Sequence, residues 1–274
     1  MNKPSERALA GALGAKPARR KGGELIAEFL VREKIPYVFG ICGHGNIGLL
    51  DPLYEVRDKV KLVSPRHEQT AAHMADGYFR VKHHPVATLT STGPGSANLI
   101  MALAVAQTDS SALLAITANV PTSQFNRGPF QELNRHHQAD YPNVVRPVVK
   151  RSFQPTRVDM LPLFLRQAIT TALSGRPGPV NLDVPFNLFQ EEAEVELEAV
   201  SEGFGARRSG ASIDDVRATL DMLESARRPA SSYACRWRTR APASTHARAS
   251  SASCAGVLGI RGCSAVEREP LRAT

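Results

Sequence analysis

Three short stretches hold residue types that could do chemistry together. The first is Arg66-His67-Glu68-Gln69, which follows an apolar run, Val60 to Val63, closed by Ser64-Pro65. Small residues come after it, at Ala71, Ala72, Ala75 and Gly77. The pattern predicts a strand, a tight connection and a helix with a close-packing face. Glu68 falls in the first turn of that helix, where the dipole favours a carboxylate. A first-turn acid alone signals only a helix start. Its company changes the reading, because Thr92-Gly93-Pro94-Gly95-Ser96-Ala97-Asn98 and Phe130-Gln131-Glu132 follow later strand patterns.

The elements that must position these residues alternate along the chain. Leu25, Ile26, Phe29 and Leu30 share a helical face within 22–34, and Pro36 ends it. Tyr37 to Ile41 is a short buried strand, and a helix is predicted over 47–57. Residues 85–91 form an apolar and Thr strand, followed by a helix over 96–107 that is apolar on nearly every side and so should be buried. Strands are predicted over 112–118 and 178–184, a long polar loop over 119–145, an extended stretch over 144–150 and an amphipathic helix over 159–173. Strand–helix alternation with continuous apolar strands indicates an α/β fold, a parallel sheet covered by helices on both faces. Ligand then belongs at the carboxyl ends of the strands. The loops at 42–46, 66–68, 92–98 and 119–132 all follow strands.

Gly43-His44-Gly45-Asn46-Ile47-Gly48 is formally a dinucleotide fingerprint, with Glu68 twenty residues beyond Gly48. Several features argue against that use. A helix precedes the first strand, Glu68 lies past the strand end, and dinucleotide binding has no need of the later Gly-Pro-Gly and Phe-Gln-Glu. A lone fingerprint is a weak signal.

Composition narrows the partners. The formal charge of +8 over 274 residues sits in the two ends. Residues 1–21 carry +5, residues 229–274 carry +5, and the body between them carries −2. A nucleic-acid groove is therefore not expected. The sequence has no run of about 18 apolar residues, so no membrane span is expected. The four Cys show no disulfide or metal spacing. The cytoplasm is the expected compartment.

Taken together, the motifs resemble the pyrimidine-binding domain of thiamine-diphosphate enzymes, nearest the acetolactate synthase group. The matching text is Tyr37-Val38-Phe39-Gly40, Arg66-His67-Glu68-Gln69 with Ala75-Asp76-Gly77-Tyr78, and the 92–98 turn. It continues through Val120-Pro121-Thr122-Ser123, Phe130-Gln131-Glu132 and Gly175-Arg176-Pro177-Gly178-Pro179-Val180. The resemblance covers roughly 22–228.

Several expectations follow from the resemblance. The cofactor is thiamine diphosphate, and the reaction is decarboxylation of a small 2-keto acid followed by carboligation. Glu68 matches the catalytic glutamate, which hydrogen-bonds N1′ of the aminopyrimidine. Gly43 and Asn98 match positions around that ring. Phe130 and Gln131 match a loop that approaches the thiazolium from a neighbouring subunit, and Lys150 a lysine near the substrate entrance. A homodimer or tetramer is implied. Diphosphate and Mg2+ would be held by a Gly-Asp-Gly segment of another domain, which this sequence does not contain, so no metal ligands are assigned here. FAD occurs in some of these synthases, with its site mostly in a middle domain. His44 and Cys42 depart from the synthase pattern, and Gly43-His44-Gly45-Asn46 also resembles related cyclic-diketone hydrolases. Such a hydrolase, a 2-keto-acid decarboxylase and a non-catalytic dimerising fragment are the alternatives.

The expected organisation has four parts. Residues 1–21 are a disordered basic arm and 22–190 the pyrimidine-binding domain. Residues 191–228 hold an acidic linker and the first helix of a truncated middle domain, and 229–274 an aberrant, disordered tail. From residue 231 the chain has no Lys, Asp, Asn, Gln, Phe or Met and is rich in Ala, Ser and Arg. That is the expected product of a GC-rich gene read out of frame.

Overall fold

Continuous apolar strands demand cover on both faces, and the chain supplies it. The structure, a computed structural model, describes residues 18–125, 140–195 and 212–225. In chain order the elements are β1 (Ala18–Lys21), α1 (Gly22–Arg32), β2 (Tyr37–Gly40), α2 (Ile47–Glu55) and β3 (Lys61–Val63). Next come α3 (Glu68–Lys82), β4 (Ala87–Thr90), α4 (Pro94–Ala97), α5 (Ile100–Thr108), β5 (Leu114–Asn119) and α6 (Tyr141–Val145). The last are β6 (Arg151–Phe153), α7 (Leu161–Leu173), β7 (Val180–Pro185), β8 (Glu192–Val195) and α8 (Ile213–Ser225).

Six strands pair in parallel in the order β3-β2-β4-β5-β7-β6. Parallel crossovers are right-handed almost without exception. The chain moves one way from β2 to β3 and the other way from β3 through β4 to β5. This puts α2 on one face of the sheet and α3 and α5 on the other. Crossing back from β6 to β7 returns α7 to the face of α2, and α1 packs against both α2 and α7. The strand order reverses between β2 and β4. That opens a crevice at their carboxyl ends, where α/β sheets bind ligands. The central strands β4, β5 and β7 are buried along their whole length, as a two-sided cover requires.

Three sequence expectations need correction. Residues 18–21, placed in the disordered arm, form β1. That strand pairs antiparallel with β8, placed in the acidic linker, with Ala18 opposite Val195 and Lys21 opposite Glu192. Arg19 also forms a 2.7 Å ion pair with Glu192. The helix expected over 96–107 is interrupted at Asn98 and Leu99, giving α4 and α5, and only one side of α5 is buried, with Met101 exposed. The stretch 144–150 is not extended. It enters α6 and a turn at Arg146–Val148, each with a proline in its first turn, where the missing N–H is not needed.

Candidate functional site

At the crevice the backbone must pass close to a neighbouring loop, and glycines allow it. After β2, the Asn46 side chain, fully buried, accepts from Gly43 N–H at 3.0 Å and donates to Ile41 C=O at 2.9 Å. These bonds fold 41–46 into a tight loop that lies against Ser91, the residue after β4. Gly45 N–H donates to Ser91 Oγ at 3.3 Å. A Cβ on Gly43 would stand 2.5 Å from Ser91 Cβ, so no side chain fits there without moving Ser91. Gly93 opens the next turn at φ 53°, a conformation that favours glycine.

Glu68 is the first residue of α3, and His67 caps that helix by accepting from Gln69 N–H through Nδ1 at 3.2 Å. The carboxylate is half-buried. Its Oε2 accepts from Asn98 Nδ2 at 3.0 Å. Its Oε1 faces Gly95, whose missing side chain leaves room: a Cβ there would lie 3.4 Å from Oε1 and 3.7 Å from Ser91 Cβ. No other partner holds Oε1 among the described residues. Three loops, following β2, β3 and β4, therefore meet around Ser91 and bring Gly43, Glu68 and Asn98 together. Tyr141 braces this corner by donating its hydroxyl to Ser96 C=O at 2.7 Å, and burial pushes its phenol well above the usual range.

Ser91 and Tyr141 join the site although no motif in the sequence marks them. The signal for Ser91 was present, since a strand that ends in Ser-Thr-Gly beside a glycine loop places a small hydroxyl at the switch point. Tyr141 gave none, because its partner lies far away in the chain.

Lys150 does not join the group. It precedes the first residue of β6, at the amino edge of the sheet, opposite the edge of Glu68. Its amine donates to Ser174 C=O at 2.7 Å and to Thr171 C=O, so it serves the end of α7, where cations are favoured. Burial lowers its pKa. Phe130 and Gln131 lie outside the described residues. The His44 ring packs edge-on to Phe186 with centroids 6.1 Å apart, and Cys42 is exposed. A groove of about 880 Å³ opens beside α1 and α2, but Gly43, Glu68 and Asn98 take no part in its lining.

Comparisons with known proteins bear on the family and not on the individual side chains. Residues 20–139 match the family described as thiamine pyrophosphate enzyme, N-terminal TPP binding domain. These residues are similar to the N-terminal TPP-binding domain of thiamine pyrophosphate enzymes. More particularly, the chain is similar to acetolactate synthases. It is 35% identical over 176 residues to a probable acetolactate synthase large subunit of Methanocaldococcus jannaschii, covering 64% of this chain and 28% of that one. It is 32% identical over 213 residues to that of Methanococcus aeolicus, covering 76% and 34%. It is 32% identical over 212 residues to the Escherichia coli acetolactate synthase isozyme 1 large subunit, covering 77% and 36%. The chain thus spans about a third of the length of the curated relatives it matches.

Proposed function

We propose that Gly43, Glu68 and Asn98 form the pyrimidine-binding half of a thiamine diphosphate site, in a protein that decarboxylates and joins small 2-keto acids. The observation that carries this reading is the Glu68 carboxylate, with one oxygen held by Asn98 and the other turned to the space beside Gly95. A preset carboxyl of this kind fits the ring N1′ of an aminopyrimidine. When bound, the cofactor supplies a thiazolium carbon that can take up a 2-keto acid and stabilise the loss of CO2. The work of this chain is narrower. Glu68 holds and shares a proton at N1′, Asn98 fixes the carboxyl's direction, and the glycine loop at 43–45 lets the ring approach the backbone. Thiamine diphosphate is the cofactor, and Mg2+ would belong with the diphosphate half. A pairing of subunits would place Phe130 and Gln131 of one chain near the reacting carbon of the other. The cytoplasm is the compartment such chemistry suits.

Calorimetric titration of the 274-residue protein tests the reading. One charge-assisted hydrogen bond contributes about 1.5–3 kcal/mol, and ring packing adds about 1 kcal/mol. Against the entropy of association this leaves a dissociation constant of about 1 mM or weaker. The expected result is weak binding that magnesium does not strengthen and that Glu68→Gln weakens further. Micromolar, magnesium-dependent binding would show a complete site and overturn the half-site reading.

A further inference from the structure

A second carboxylate sits at the same edge of the sheet, and nothing proposed above uses it. Asp183, in β7, is fully buried. Its Oδ1 accepts from Thr117 Oγ1 at 2.8 Å. Its Oδ2 accepts from Asn119 Nδ2 at 2.6 Å and from Gln154 Nε2 at 2.8 Å. The donors are themselves held. Asn181 Nδ2 donates to Thr117 Oγ1 at 2.9 Å, and Ser152 Oγ donates to Asn181 Oδ1 at 2.5 Å. Asn119 faces two ways, because its Oδ1 accepts from the N–H of Val120 at 2.8 Å. Val120 begins the turn that leaves β5. Further along, Thr122 is pinned by Asn187, which accepts from the Thr122 N–H at 3.0 Å and donates to its hydroxyl at 3.1 Å.

We propose that Asp183 is a positioning residue for this turn and that taking up a proton makes it release the turn: Asn119 rotates its amide to accept from the protonated carboxyl and lets go of the Val120 N–H. Donors and acceptors around the carboxyl decide the outcome. The ionised carboxylate has three donors aimed at it, and all three are satisfied. A protonated carboxyl becomes a donor and faces a donor wherever the proton sits. On Oδ1 it would drive the Thr117 hydroxyl hydrogen away, into a buried site where Asn181 already fills one lone pair. On Oδ2 the Asn119 or the Gln154 amide must turn, and Asn119 does so by offering Oδ1 in place of Nδ2. That same Oδ1 is the partner of Val120. Among the described residues, the titratable groups facing Asp183 are Asp140, ahead of α6, and Tyr141 on α6. Neither brings a positive charge, so burial and Asp140 together push the Asp183 carboxyl up to about 6, against three hydrogen bonds that pull it down. The proton exchange therefore falls within an ordinary working range of pH. The proposal concerns the backbone leaving β5 and is independent of cofactor binding.

Amide hydrogen exchange of the full 274-residue chain, followed by NMR between pH 7.5 and 5, tests it. The expected result is a fall of about tenfold or more in the protection factor of the Val120 amide as pH drops, with the β5 amide of Ile116 unchanged. Asn119→Ala should leave Val120 weakly protected at every pH, and Asp183→Asn should remove the pH step. If Asp183→Asn fails to fold, the Asn119→Ala comparison still decides. Constant protection of Val120 in the wild type, or a pH step that persists in Asn119→Ala, would overturn the proposal. So would a change confined to the Gln154 side chain.

Discussion

Two carboxylates at the carboxyl edge of one sheet each bind an asparagine amide, and they differ in almost everything else. Glu68 is half-buried, has one partner at 3.0 Å and keeps an oxygen turned to open space beside a glycine. Asp183 is sealed, and both its oxygens are taken by three donors. A carboxyl whose hydrogen bonds are complete can only hold its neighbours in place. A carboxyl with a spare acceptor can meet a ligand. Acid residues at one edge of a sheet thus take different roles according to what remains unsatisfied after folding.

The sharpest way to break the comparison is Asp183→Ala. It takes the carboxylate away from the Thr117 hydroxyl and the Asn119 and Gln154 amides, and a buried group that loses its hydrogen bond costs about 1–3 kcal/mol. Urea unfolding should show a loss of at least about 2 kcal/mol. A loss near zero would mean that relief of the buried charge offsets the broken bonds, and the view of Asp183 as support would fall.

A smaller effect concerns pH. The folded-state pKa of Asp183 is raised from 3.8 to about 6, so the native state holds the proton more tightly than the unfolded chain. The stability that this preference contributes is complete below the unfolded value and is lost as pH rises through about 6. The wild-type urea midpoint should therefore lose ground across that window relative to Asp183→Asn. Parallel profiles for the two proteins would remove Asp183 as the source.

The smallest change in stability is expected for Glu68→Gln, within about 0.5 kcal/mol, because the site is half open and the amide keeps the shape. Its effect on chemistry should be opposite in scale. In a protein that joins this domain to the diphosphate-binding half, turnover should fall by about a hundredfold or more with little change in KM. Near-normal turnover would refute the role of Glu68, and a large loss of stability would erase the contrast with Asp183.

Much of the sheet could be seen in advance, because buried parallel strands appear as apolar runs and the crossover helices as periodic ones. The grouping of Gly43, Glu68 and Asn98 was visible where identity and place coincide, at a helix start and in loops after strands. Other features were hidden for physical reasons. The pairing of β1 with β8 joins a basic stretch to an acidic one across most of the chain, and strong charge resembled solvation until the partners met. The Asp183 cluster lies in strands whose apolar character masked the alternation of Thr117 with Asn119 and of Asn181 with Asp183. That period of two was the available signal. Lys150 is a different case, since a lysine matched by resemblance to a substrate entrance donates to carbonyls at the end of a helix.

The ribbon of β1 and β8 has a consequence for how the domain can be carried within longer proteins. Ala18 stands opposite Val195, so the polypeptide enters and leaves the body at a single doorway. A body of this kind behaves as a cassette. It can be spliced between other sequences while the rest of its outline stays undisturbed, as domains with neighbouring ends usually can. The opposed charges of Arg19 and Glu192 latch that doorway.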